Sequence, residues 1–178
     1  MSRRCPFLCM GRKRREEEPW WIYHVVARGV VRRALFRDDG DCQVYLVILR
    51  GVIAVFGWRI YAYCLMGNHV HLLVRTREPN LGRGMQRLHS LYAQGFNEEH
   101  ARIGHLFQDR YGSSRIRTSE RLTYVDRYIA ENPVAAGFCD DADSWPWSNH
   151  GAAAAGDAPK WLARRGVLVA VQRDLAAA

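Results

Sequence analysis

Lysine is almost missing from this chain. Lys13 and Lys160 are the only two among 178 residues, so the net charge of +8 is carried by arginine. The planar guanidinium, with its five donors, suits bidentate phosphate contacts and stacking on bases, which fits a nucleic-acid partner. A coding bias toward arginine, in keeping with the Ala-rich C-terminal stretch, would yield the same count. Long apolar runs are missing as well. The most apolar window, residues 44–56, contains Arg50 and is too short for a bilayer span, so it reads as a core helix and no membrane partner is expected. The five cysteines (Cys5, Cys9, Cys42, Cys64, Cys139) are odd in number and scattered, with no signal peptide, which points to reduced thiols in a cytoplasm. Cys5 and Cys9 have no second Cys or His pair at zinc-finger spacing, which excludes a structural zinc of that kind. Internal repeats and a second domain are also absent.

What is present suffices for one core, since 48% of the residues are hydrophobic and 11% aromatic. Residues 1–19 are polar, basic at 12–15 and acidic at 16–18, and read as a flexible leader. Residues 20–26, WWIYHVV, read as a strand. Asp38, Asp39 and Asp41 suit a helix N-terminus, and the helix over 42–57 ends at Gly57. Pro79-Asn80 opens a second helix, from 81 to about 103, with a stripe of Met85, Leu88, Leu91 or Tyr92, and Phe96. Gly82, Gly84 and Gly95 weaken it and predict fraying or a bend. Residues 105–117 lead, as a short strand or extended loop, to a third helix over 120–131, capped by Thr118 or Ser119 and stopped near Asn132 by Pro133. An aromatic loop around Trp145-Pro146-Trp147 follows, and residues 160–174 fit a last amphipathic helix. The order predicts an α+β fold, an antiparallel sheet of four to five strands in a split β-α-β, ferredoxin-like arrangement with helices on one face. The expected division is a leader at 1–19, a domain at 20–149 and an Ala-rich extension at 150–178.

The chemistry centres on residues 61–75, YAYCLMGNHVHLLVR. Two apolar runs flank Gly67-Asn68, a pair that tolerates the positive φ of a tight turn. In the second run His69 and His71 are two apart, so on a strand both imidazoles project from one side. Two histidines aimed from a rigid strand are half of a metal site; a pair of half-buried sheet histidines is the plainer alternative. The third helix carries Tyr124, Tyr128 and Asn132 at i, i+4 and i+8, on one helical face. Asn132, next to Pro133, can turn its carboxamide oxygen toward a metal, with Tyr128 one turn earlier. These residues serve equally as packing residues and a helix cap.

Residues 23–41 (YHVVARGVVRRALFRDDGD), YAYCLMGNHVHLLV, HLFQDRYGSSRI, RYIAENPVAAGF and WPWS together resemble, in order and spacing, the single-tyrosine transposases with a His-hydrophobe-His motif. The REP-associated tyrosine transposases are the nearest branch, and the resemblance spans roughly residues 20–149. It implies a divalent metal, Mg²⁺ or Mn²⁺, on His69, His71 and Asn132, with Tyr128 as nucleophile. It also implies attack on a phosphodiester of single-stranded DNA, giving a 5′-phosphotyrosine and a free 3′-hydroxyl, on palindromic hairpins flanked by a tetranucleotide. Domain 20–149 would then be catalytic, acting as a monomer or homodimer in the bacterial cytoplasm, at the nucleoid when bound. Tyr92 is the competing nucleophile; Tyr128 is preferred because it alone has a ligand at i+4. Arg28, Arg32, Arg33, Arg110, Arg115 and Arg117 are the expected phosphate contacts. The chain departs from the family pattern at Gly67, where Pro is usual before Asn-His. It departs also at residues 110–113, which lack a Lys, at Val30-Val31, and at Ala135 and Ala136, where an Arg is common. These departures bear on DNA contacts more than on chemistry. A domesticated hairpin-binding protein that keeps the fold without turnover is the alternative.

Overall fold

The period-2 alternation seen in the hairpin organises the whole molecule. The computed structural model describes residues 16–163 together with Val169, Val171, Gln172 and Leu175. Strands β1 (Ile22–Arg28), β2 (Arg59–Met66), β3 (His69–Arg75) and β4 (Gly112–Ile116) form one antiparallel sheet in the order β2-β3-β1-β4. The α+β fold with a four-stranded antiparallel sheet is therefore as expected, and β3 is central. The turn at Gly67-Asn68 forms, but neither residue takes a positive φ. It is held from outside instead: the Gly67 carbonyl accepts the N–H groups of Leu35 and Phe36, and the Asn68 carbonyl accepts that of Gly29.

Helix α1 (Asp39–Phe56) starts where the Asp38 carboxylate accepts the Asp41 N–H at 3.0 Å, and it ends at Gly57 with φ +66. Helix α2 (Leu81–Glu99) is continuous through its glycines. Gly84 has a packing reason, because a Cβ there would lie 2.1 Å from the Trp58 ring. Helix α3 (Ser119–Ala135) is capped by Thr118 and passes through Pro133, which stands in its last turn. The actual stop is Gly137, with φ +73, whose N–H bonds to the Val134 carbonyl.

Helices cover both faces of the sheet and not one, because β2 and β3 are apolar on both sides. Val25, Val70, Leu72 and Val74 pack against Tyr45, Leu49, Leu88 and Tyr92 of α1 and α2. On the other face Ile22, Tyr61, Met66 and Leu73 meet Leu122, Val125 and Ile129 of α3. The segment after α3 closes the free edge of β2: Leu65 donates its N–H to the Trp147 carbonyl at 2.8 Å, and Ala163 donates to Ile60 at 2.9 Å. A short helix α4 (Asn149–Ala154) lies between these contacts. The opposite edge strand, β4, has no strand on its outer side among the described residues. Most of the expected leader and most of the expected helix over 160–174 lie outside the described residues. Among those described, no helix is long and apolar enough to cross a membrane.

Candidate active site

The α3 face of β3 carries His69, His71, Leu73 and Arg75. Leu73 joins the core beneath α3, whereas the histidines lie at the end of β3 nearest the hairpin turn. His71 is buried, at 2% exposure, and His69 is half-buried. Their ring centroids are 5.0 Å apart. A third imidazole completes the group. His24 on β1 lies diagonally across from His71, since Val26 is the direct partner of His71 and His24 is that of Leu73. The His24 Nε2 and His71 Nδ1 atoms share a hydrogen bond of 3.0 Å, and their rings stack with centroids 5.2 Å apart.

Helix α3 brings its tyrosine to this cluster. The Tyr128 ring meets His71 edge-on at 5.5 Å and His24 at 5.9 Å, and it remains 41% exposed. Tyr124 lies one turn earlier, parallel to Tyr128 with centroids 6.3 Å apart. Asn132, one turn later, donates through Nδ2 to the Tyr128 carbonyl at 3.1 Å, and its side chain is near enough to His69 to influence that imidazole's pKa. The His69/His71 face and the Tyr128/Asn132 end of the helix therefore meet.

Electrostatics keep the imidazoles neutral. Burial first, then His69, His24 and Arg28 nearby, push His71 down to about 3. Burial, aided by Arg121, pushes His24 down to about 4. His69 is lowered by burial, an effect that the nearby Asn132 side chain opposes. Each histidine of β3 has one ring nitrogen already engaged: His69 Nδ1 lies 2.7 Å from Asn68 Oδ1, and His71 Nδ1 is bonded to His24. The second nitrogen of each is left to act as a ligand, the arrangement that metal-binding histidines usually show. The donor set thus fits a divalent cation.

The expected phosphate-contacting arginines separate into groups. Arg28 and Arg32 line, with Asn68 and His69, a pocket of about 300 Å³ beside the histidines. Arg33 is exposed in the same loop. Arg115 is drawn to the α1/α2 side, where its guanidinium lies 3.4 Å from the centroid of the Trp21 ring. Arg110 borders a separate cleft beside α2, and Arg117 is exposed ahead of α3. Tyr92 is fully buried under the opposite face and donates its hydroxyl to the Leu35 carbonyl at 2.6 Å. Burial, followed by the charges of Asp41 and its neighbours, drives its pKa far upward. His24 is the residue that sequence reasoning missed. The alternation Ile22-His24-Val26-Arg28 was visible, but only strand pairing places that face beside His71.

A second group, Asp38, Asp41 and His100, brings one ligand atom each within 4.8 Å of one another at the junction of α1 and α2. Its needs are met internally. Asp38 caps α1, and Asp41 accepts from the Arg37 N–H at 2.7 Å and pairs with His100 at 2.9 Å.

The family described as "Transposase IS200 like" matches residues 20–132. A solved structure of a REP-associated tyrosine transposase bound to a REP hairpin is similar at a TM-score of 0.70, with 19% identity, over 87% of this chain and 92% of that one. A Deinococcus radiodurans structure overlaps 68% of this chain and 96% of its own, at 22% identity and a TM-score of 0.47, too low to bear on the fold. No curated protein matches the chain.

Proposed function

Since the chain belongs to the IS200-like transposase family, and so is a DNA transposase, we propose that it cleaves and rejoins single-stranded DNA hairpins through Tyr128. The observation that carries this reading is the convergence of Tyr128 on His71 and His24, with Asn132 on His69. Tyr128 Oη attacks the scissile phosphorus; the O–P bond to tyrosine forms, the P–O3′ bond breaks, and the 3′ oxygen leaves as a hydroxyl once protonated. The exposed phenol releases its proton to solvent. The new phosphotyrosine conserves the bond energy, so the 3′-hydroxyl of a second strand can reverse the reaction without a nucleotide cofactor.

His69, His71 and Asn132 would hold Mg²⁺ or Mn²⁺. When bound, such a cation would polarise the phosphate and stabilise its transition-state charge. For His71 to serve through Nε2, its Nδ1–H must donate to His24 Nε2, so His24 sets both tautomer and ring orientation. Arg28 and Arg32, on the pocket beside His69, are the candidates for holding the phosphate. REP-like palindromes are the substrate this reading favours, because the similar fold of the hairpin-bound transposase extends over most of both chains.

The test is covalent capture. Full-length protein with a labelled single-stranded hairpin and Mn²⁺ should give a denaturation-resistant adduct, which Tyr128→Phe abolishes and Tyr92→Phe retains. An adduct that survives Tyr128→Phe would overturn the assignment. Metal-independent hairpin binding by the wild type with no adduct would favour the domesticated binding protein instead.

A further inference from the structure

At the far end of the sheet from the histidines, two features cost stability and have no counterpart in the core. Trp20 is 51% exposed and adopts φ +65, a conformation that bulky side chains avoid. It is held there on both sides: its N–H donates to the Thr76 carbonyl at 2.7 Å, and its carbonyl accepts from Arg75 Nε at 3.2 Å. Arg75 stands directly opposite Arg59 in the β2–β3 register, a like-charge cross-strand pair. The guanidiniums of Arg75 and Arg77 lie 5.3 and 5.9 Å from the Trp20 ring centroid. Among the described residues none of these three arginines is in an ion pair, although Glu18 and Glu78 lie close in sequence.

An unpaired base has two faces that stack on an exposed aromatic ring, and its phosphates need cations that no carboxylate has neutralised. Arg75 also points to the same face of β3 as His69 and His71, because it lies an even number of residues along the strand. His69 and Arg75 are six steps apart along β3, which is ~20 Å at strand spacing. We propose that Trp20, with Arg59, Arg75 and Arg77, forms a second binding site for single-stranded DNA, stacking an unpaired base of the strand whose phosphate is held at the histidines. The identity of the ligand as DNA rests on the transposase reading; the stacking site itself requires neither Tyr128 nor a metal.

The experiment uses full-length protein carrying Tyr128→Phe, in EDTA, with fluorescein-labelled oligothymidylates of 10 and 30 nucleotides followed by anisotropy. Trp20→Ala is expected to weaken binding of the longer strand about tenfold, with Trp20→Phe recovering most of the loss. Arg75→Gln with Arg77→Gln should flatten the dependence of log affinity on log salt by about 1.4, at ~0.7 per lost phosphate contact on a single strand. Arg87→Gln, at an exposed position of α2, should change neither. Unaltered affinity in Trp20→Ala, or an equal loss in Arg87→Gln, would overturn the proposal. Ultraviolet crosslinking of a 5-bromodeoxyuridine strand to the unmutated protein gives a reading free of folding effects: a crosslink at Trp20 supports the site, and crosslinks confined to other aromatic residues refute it. A wild type that crosslinks at Trp20 yet forms no Tyr128 adduct would sink the catalytic reading while leaving this one standing.

Discussion

The two faces of the sheet are built from the same strands and do opposite things. Under α1 and α2 the face is filled: Val25, Val70, Leu72, Tyr45, Leu49, Leu88 and Tyr92 are all shut off from solvent. Its tyrosines are packing residues, raised in pKa by burial, and the Tyr92 hydroxyl is spent on a carbonyl. Under α3 the apolar contact is confined to one part of the face. The rest is left to His24, His69 and His71, with Tyr128 at the border between core and solvent. A tyrosine can act on a substrate only where its hydroxyl is both positioned and reachable, and only the α3 face offers both. The difference arises from one period-2 alternation along β3, with Val70, Leu72 and Val74 on one side and His69 and His71 on the other.

The sharpest way to break this contrast is to delete one hydroxyl on each face. Tyr128→Phe should lower adduct formation by at least ~10³-fold while leaving stability within about 0.5 kcal/mol. Tyr92→Phe should keep the adduct and cost about 1 kcal/mol in urea unfolding, because the buried Leu35 carbonyl loses its donor. Exchange of these two outcomes would place the reactive tyrosine on the packed face.

Next in size is the histidine absent from the hairpin. His24→Ala should reduce Mn²⁺ affinity about 10–100-fold by calorimetry, with His24→Gln recovering part of it through its carboxamide oxygen. Equal affinities across the three proteins would mean that His71 is oriented without β1.

On the packed face, Gly84→Ala drives a methyl into the Trp58 ring and should cost about 2–3 kcal/mol, with the adduct unaffected. The smallest effect concerns pH. His89 stacks on Phe107 at 3.9 Å, its Nε2 is shielded without a partner among the described residues, and burial lowers it to about 4. It is neutral in the fold but protonates near 6.5 when unfolded, so stability should fall as pH drops from about 6.5 to about 4. Replacing His89 by Leu should remove about 1–2 kcal/mol of that decline; an unchanged pH profile would show that the group does not titrate as inferred.

Much of this molecule could be read from local pattern. The common face of His69 and His71, the shared helical face of Tyr128 and Asn132, the Asp38 and Thr118 caps and the Gly57 stop all depend on neighbours a few residues away. Backbone geometry fixes such relations within a strand or a helix turn. The glycines of α2 were legible only as a weakness, because the Trp58 ring that requires Gly84 arrives from a distant part of the chain. Pro133 pointed to an early end, yet the helix passes through it and Gly137, with its positive φ, sets the boundary.

By itself, the sequence determined the elements and which side chains share a face within each. It determined also that the charge would be guanidinium and that one strand would present two imidazoles together. Only the tertiary structure decided which faces meet. It placed His24 beside His71 through the register of β1 on β3, and it sent Tyr92 into the core and Tyr128 to the histidines. It also set helices on both sides of the sheet. Periodicity is a property of consecutive residues, whereas register and helix placement depend on long-range burial, which no single stretch of chain encodes.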